Sequence, residues 1–151
     1  MVISTQKNPL QNWQVNPLQN WQINPIQNWQ INPLQNWQIN PAQNSLINPA
    51  QNNLINPRLN NNVNPNLNYN FNGYFVFSRT LLLEEFVVIS NNVVIHFYDL
   101  RFNNTRFGVR HVQNGFSLFN LNLEIIGHLE NDSMTGFNEF DLNNNWIGII
   151  K

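Results

Sequence analysis

Proline at every eighth position is the feature that most restricts how the first half of this chain can fold. The eight prolines lie eight residues apart from Pro9 to Pro65, and Asn precedes each of them. This spacing excludes a helix, because each proline lacks an amide hydrogen and clashes with the preceding turn. The residue before a proline is held in extended geometry, and Asn-Pro favours a type I turn. Each octapeptide therefore predicts a turn followed by four extended residues.

Two further positions of the octapeptide carry large apolar side chains. The first lies six residues after each proline, at Val15, Ile23, Ile31, Ile39, Ile47, Ile55, Val63 and Phe71. The second is a Trp row, four residues after proline in the first four units: Trp13, Trp21, Trp29 and Trp37. Two structures fit this array, a β-solenoid-like stack or an extended low-complexity tether. The Trp row is either the interior of a solenoid or a candidate binding surface for a partner or membrane.

The composition changes after Phe71, where proline ends and charged residues appear. We therefore predict two domains, a repeat arm over 1–72 and a β domain over 73–151. Aromatic residues recur every 21 positions in the second domain, at Phe77, Tyr98, Phe119 and Phe140. A Leu follows two residues later in the last three units, at Leu100, Leu121 and Leu142.

This period predicts four β-hairpins, each with a polar turn rich in Asn. A single hairpin is only marginally stable, so the four are expected to close around one axis with the aromatic and the Leu pointing inward. The predicted fold is all-β, a shallow pseudo-fourfold barrel of four β-hairpins. Its structural repeat core is the set of aromatic and Leu residues just named. The distance from the aromatic to a later Val/Gly column is ten residues in the first two units and eight in the last two, which predicts a shorter turn in the latter. A glycine column (Gly73, Gly115 and Gly136) predicts close approach of backbones.

The units Phe119-Asn120-Leu121…Ile126-Gly127 and Phe140-Asp141-Leu142…Ile147-Gly148 resemble the repeat of the bacterial 4-fold beta flower family. The resemblance covers 74–151. It departs at Arg79, where the other units have Leu, and at Val87, where Gly is expected. The resemblance implies a small, shallow, symmetric β-barrel. Because that fold has been likened to the lipid-binding Tubby C-terminal domain, it also points towards membranes.

No residue pattern in the chain is typical of an enzyme. The three histidines lack metal-ligand spacing and occupy columns held by unrelated residues, so we expect surface or rim positions, with neither a metal nor a cofactor. Short polar residues at Ser78, Asp99, Asn120 and Asp141 are expected to cap their own turns rather than to form a site. Glu84 and Glu85 correspond to the place of Arg106, which predicts charge pairing between neighbouring hairpins.

Composition narrows the classes of partner. Charged residues are 10% of the chain and the net charge is −1, which argues against nucleic-acid binding. The start lacks a signal peptide and no apolar run is long enough to span a bilayer, so a cytoplasmic protein is expected. The sequence favours a non-enzymatic binding or assembly module, with a protein partner or self-association. The alternatives are a membrane-surface or lipid-binding protein, and a small effector or enzyme with a pocket at the barrel mouth.

Overall fold

The computed structural model describes residues 3–151, and its second half is a closed, eight-stranded antiparallel barrel. The strands follow one another around the barrel, and β1 pairs with β8 to close it. Their bounds are β1 Gly73–Ser78, β2 Leu83–Ile89, β3 Val94–Asp99, β4 Asn104–Arg110, β5 Phe116–Asn120, β6 Ile125–Asn131, β7 Phe137–Asp141 and β8 Trp146–Ile150. The prediction of an all-β barrel is confirmed. The description as four hairpins is too narrow, since the strands between hairpins pair as well, as in β2 with β3.

The turn that joins the two strands of each hairpin is preceded by the same irregularity in strand pairing. A register shift falls between residues 76 and 77 and recurs at 97/98, 118/119 and 139/140. Asp99 Oδ1 accepts hydrogen bonds from the amides of Arg101 and Asn103, both at 2.9 Å. Asn120 and Asp141 each accept the equivalent pair in their own turns. The prediction that these residues cap their turns is confirmed.

The prediction of shorter turns in the last two hairpins is wrong. Phe77 pairs with Leu83 and Phe119 pairs with Ile125, so the spacing is the same in the first and third hairpins. Gly127 and Gly148 therefore correspond to Glu85 and Arg106, not to Val87 and Gly108. These four positions point into the barrel, where the first two hairpins place long charged side chains and the last two place glycine.

A filled apolar core occupies the barrel interior. Its buried members are Val76, Val87, Ile95, Phe97, Phe116, Leu118, Leu129, Phe137 and Ile150. Strand backbones approach closely at the glycine column, as predicted: a Cβ on Gly115 would lie 2.1 Å from the carbonyl oxygen of Leu129, and one on Gly136 would lie 2.0 Å from that of Ile150.

The predicted repeat core lies elsewhere. Tyr98 and Phe119 are buried on the outer face of the barrel, in clusters with array residues such as Ile55 and Ile47. Phe140 is buried, and Phe77 is half-buried. The inward placement of the Leu column is wrong: Leu100, Leu121 and Leu142 are 52%, 53% and 49% exposed. They follow the ends of β3, β5 and β7 and lie in the turns.

The octapeptide array (residues 8–72) is ordered, and its segments after proline are not extended. Each of the first seven units is a turn at the proline followed by a three-residue 3-10 helix, whereas the eighth unit has a second turn at Tyr69 and Asn70 in place of the helix. Seven of these helices lie within the array, at Trp13–Val15, Trp21–Ile23, Trp29–Ile31, Trp37–Ile39, Ser45–Ile47, Asn53–Ile55 and Asn61–Val63, and an eighth precedes it at Thr5–Lys7. Neither the β-solenoid nor the extended tether describes this structure. In an extended segment the Trp and the Ile of a unit would point to the same side. In the 3-10 turn they point to opposite sides, with Trp exposed and Ile buried.

The array wraps around the barrel as a collar. It begins near β8, where Asn8 and Leu10 line the same cavity as Trp146, and ends near β1, where the rings of Phe71 and Phe75 are 5.7 Å apart. Between these ends it passes the strands in reverse order. The barrel's outer face and the array's inner face therefore share one set of apolar clusters.

Candidate binding surface

Asparagine side chains build the frame of the collar. In the first seven units, the Asn three residues after the proline caps the 3-10 turn and ties it to the preceding residues. Asn28 Oδ1 accepts from the Gln30 amide at 3.2 Å, and its Nδ2 donates to the Gln22 carbonyl at 2.8 Å. The Asn before each proline closes the turn, as when Asn32 Oδ1 accepts from the Leu34 amide at 3.0 Å. These bonds satisfy backbone groups that neither a helix nor a sheet would pair.

The frame holds one apolar side chain inward and another outward in each of the first four units. The inner positions, such as Ile23 and Ile39, are buried. The Trp row faces outward, with Trp13, Trp21, Trp29 and Trp37 all 58–59% exposed. Placement of these indoles in a solenoid interior is therefore wrong, and the surface alternative is the one that fits their exposure.

A second exposed apolar position accompanies the Trp row. One residue after each proline stand Leu10, Leu18, Ile26 and Leu34, all exposed. The later units place Ala42, Ala50, Arg58 and Asn66 at this position. No charged residue occurs between Lys7 and Arg58. The first half of the collar is thus an uncharged surface that exposes indole, aliphatic and carboxamide groups.

A groove lies at the end of the Trp row, between the collar and the β2–β3 turn. It encloses about 630 Å³. Its lining comprises Gln30, Asn36, Trp37, Gln38, Ile39, Gln43, Asn44, Ser45, Leu46, Asn91 and Val93. None of these residues carries a formal charge.

Two polar barrel residues join the collar through its backbone. His96 Nε2 lies 2.6 Å from the carbonyl oxygen of Ile47, and the Tyr98 hydroxyl donates to that of Ile55 at 2.5 Å. Burial lowers the pKa of His96 to about 4, against the opposing effect of the bond to Ile47. Burial also raises the pKa of Tyr98. Both side chains therefore remain neutral near pH 7.

The three histidines are buried, so the prediction of surface or rim positions is wrong. His111 Nε2 lies 3.3 Å from Glu130 Oε1, and His128 Nδ1 lies 2.8 Å from the same oxygen. Glu130 is itself fully buried. Within residues 3–151, no group of three His, Asp or Glu side chains is arranged to hold a metal ion.

Hydrogen-bond direction can be followed from the collar to Glu130. The Leu18 amide donates to Asn16 Oδ1 at 2.9 Å, so this oxygen accepts from Asn144 Nδ2, also at 2.9 Å. Asn144 Oδ1 then accepts from His128 Nε2 at 2.8 Å. His128 Nδ1 then faces Glu130 Oε1 at 2.8 Å. This chain of polar side chains fastens the collar to the barrel.

A buried ionic group lies inside the barrel. Arg106 Nη2 is 2.7 Å from Glu85 Oε1, and Nη1 is 2.6 Å from Glu139 Oε2. The guanidinium also lies 4.2 Å from the centre of the Phe97 ring. Pairing of Arg106 with Glu85 is confirmed, whereas the sequence period gave no sign of Glu139. Thr105 Oγ1 also donates to Glu85 Oε2, so the charged atoms of this group are paired within the barrel.

Comparison with family models, with curated proteins and with solved structures finds no match to this chain. Among the helices of residues 3–151, none is long and apolar enough to cross a membrane.

Proposed function

We propose that this protein is a non-enzymatic binding module and that the outer face of the first four array units is its binding surface. The observation that supports this is the repeated outward display of Trp on an uncharged frame. Trp combines a large apolar face with an N–H donor and loses little conformational entropy on binding, which makes it a common anchor at interfaces. The closed eight-stranded barrel supplies a rigid support for this surface.

The barrel interior does not favour an enzyme. Its core is packed with apolar side chains and the Arg106 group. A substrate pocket needs a concave site with converging polar groups, and a filled interior leaves no room for one there.

The experiment compares the wild type with a variant in which Trp13, Trp21, Trp29 and Trp37 are replaced by Ser. Ser is a matched choice because Ser45 occupies this position in the fifth unit without loss of its 3-10 turn. Both proteins are tested for self-association by light scattering after size exclusion, and for capture of partners from a bacterial lysate. We expect association or capture by the wild type that the variant loses. A monomeric wild type that captures nothing, or equal behaviour of both proteins, contradicts the proposal.

A membrane surface is the second candidate, and the exposed Leu10, Leu18, Ile26 and Leu34 beside the Trp row favour it. Trp and aliphatic side chains together anchor proteins at the interface of a bilayer. Lys and Arg are scarce, so anionic lipids would add little attraction. Co-sedimentation with neutral phosphatidylcholine vesicles tests this, and recovery of the protein in the supernatant at every lipid concentration removes it.

A further inference from the structure

We propose that the groove beside Trp37 binds an uncharged polysaccharide, with the remaining Trp row as further subsites along the same chain. This inference rests on the proposed function, since it names the ligand class for that surface. The groove unites a flat aromatic wall, several carboxamides and no ionisable side chain. Sugar rings present the complementary chemistry, with a C–H-rich face for stacking and hydroxyls that both donate and accept.

The carboxamides of the groove divide into two groups by their hydrogen bonds. Asn36 donates to the Gln30 carbonyl and accepts from the Gln38 amide, and Asn44 donates to the Gln38 carbonyl. These Asn side chains are therefore committed to the frame. Within residues 3–151, no protein group bonds the side-chain amides of Gln30, Gln38 or Gln43. Each can offer a donor and an acceptor to a hydroxyl, which is also both.

The absence of charge selects among ligands. Phosphates, nucleic acids and acidic polymers are held by Arg and Lys, and the groove has neither. Its lining also lacks the carboxylates and imidazoles that bind metal ions most strongly. A neutral, hydroxyl-bearing ligand is the class that both an indole and free amides can satisfy together.

The period of the surface indicates a polymer rather than a single sugar. The Trp-Gln pair of the groove, Trp37 and Gln38, recurs at Trp13-Gln14, Trp21-Gln22 and Trp29-Gln30. All four indoles have nearly equal exposure, so they form equivalent platforms. A linear chain of identical sugar units can engage several of them at once, and the summed contacts would exceed what one weak subsite provides.

The test is affinity electrophoresis of the full chain in native gels that contain a soluble polysaccharide. The neutral probes are hydroxyethyl cellulose, mixed-linkage β-glucan, galactomannan and dextran. Carboxymethyl cellulose is the charged counterpart of the first. We expect retardation in at least one neutral polymer, with at least tenfold weaker binding of Trp37→Ser. Tyr69→Ser is the matched control, because Tyr69 occupies the same octapeptide position, is fully exposed and lies outside the groove; its affinity should equal that of the wild type.

Circular dichroism of each variant checks that loss of binding is not loss of fold. No retardation in any neutral polymer overturns the inference, as does an equal effect of Trp37→Ser and Tyr69→Ser, or retardation by the charged polymer alone. If polysaccharides fail while the fourfold Trp→Ser variant still loses self-association, protein capture or vesicle binding, only the ligand class is wrong. If the wild type shows no Trp-dependent binding in any arm, the proposed function falls with it.

Discussion

His96 in β3 donates its Nε2 hydrogen to the carbonyl oxygen of Ile47 in the collar, at 2.6 Å. Burial lowers the folded-state pKa of His96 to about 4, whereas the exposed side chain titrates near 6.5. Between these values the unfolded chain binds a proton that the folded chain does not. Stability from this group is therefore fully present above pH 6.5 and is lost as the pH falls towards 4.

We expect the free energy of unfolding to drop by about 3 kcal/mol over that pH interval because of His96. Urea denaturation at pH 7.0, 5.5 and 4.5 measures it. His96→Gln keeps a donor and removes the titration, so its stability should vary less over the same interval. A pH profile shared by both proteins would show that other groups are responsible.

Arg106, which lies between the half-buried Glu85 and the buried Glu139, should be intolerant of truncation. Arg106→Met leaves Glu85 and Glu139 without their partner, and breaking a buried ion pair in this way costs about 3–5 kcal/mol. Adding Glu85→Gln and Glu139→Gln should restore a large part of the loss, because the uncompensated charge is then gone. Denaturant midpoints of the single and triple variants decide this, and equal midpoints would refute the charge argument.

Truncation to Ala should lower stability strongly at one residue of the sixth array unit and hardly at all at its neighbour. Ile55 is buried against Phe86, Val88 and Tyr98, whereas its neighbour Leu54 is 71% exposed. Ile55→Ala should cost about 2–5 kcal/mol, and Leu54→Ala should stay within about 0.5 kcal/mol of the wild type. We also expect one cooperative unfolding transition, because array and barrel share this cluster. Two separate transitions would contradict a shared core.

Truncating an Asn of the frame should lower the stability of the protein, whereas truncating a neighbouring Gln should not. Asn28→Ala removes a cap on the Gln30 amide and a donor to the Gln22 carbonyl, which should cost about 1–2 kcal/mol. Gln27→Ala alters an exposed neighbour, whose contact to Asn24 is long at 3.5 Å, and should change little. Thermal melts of the two variants compare them, and an equal loss would mean that the amide bonds of Asn28 contribute nothing specific.

The barrel was predictable because its period is set by backbone needs. Each hairpin requires an irregular register before Phe77, Tyr98, Phe119 and Phe140 and a cap after it, so those features repeat with the residues that provide them. The side of each strand that faces the barrel interior was not predictable from the same pattern. Strand periodicity shows which residues share one side of a strand. An apolar outer side is mistaken for the barrel core unless the segment that covers it is known.

The prediction of extended segments in the array was wrong for a related reason. Proline and Asn correctly excluded a helix and indicated turns, but neither distinguishes an extended segment from a 3-10 turn. That choice depends on hydrogen bonds between units, such as the one from Asn28 Nδ2 to the Gln22 carbonyl, which form only once the units are in place. The same holds for Glu139, which reaches Arg106 across the closed barrel and has no counterpart in its column.

The collar begins beside β8 and stops beside β1, and these two strands are neighbours. The circumference of the barrel therefore fixes the copy number of the octapeptide. The near-identity of the first four copies makes gain or loss of a copy easy by recombination. A ninth copy would find no bare strand beneath its isoleucine, and a missing copy would leave part of the barrel wall uncovered, so folding itself would select against either change.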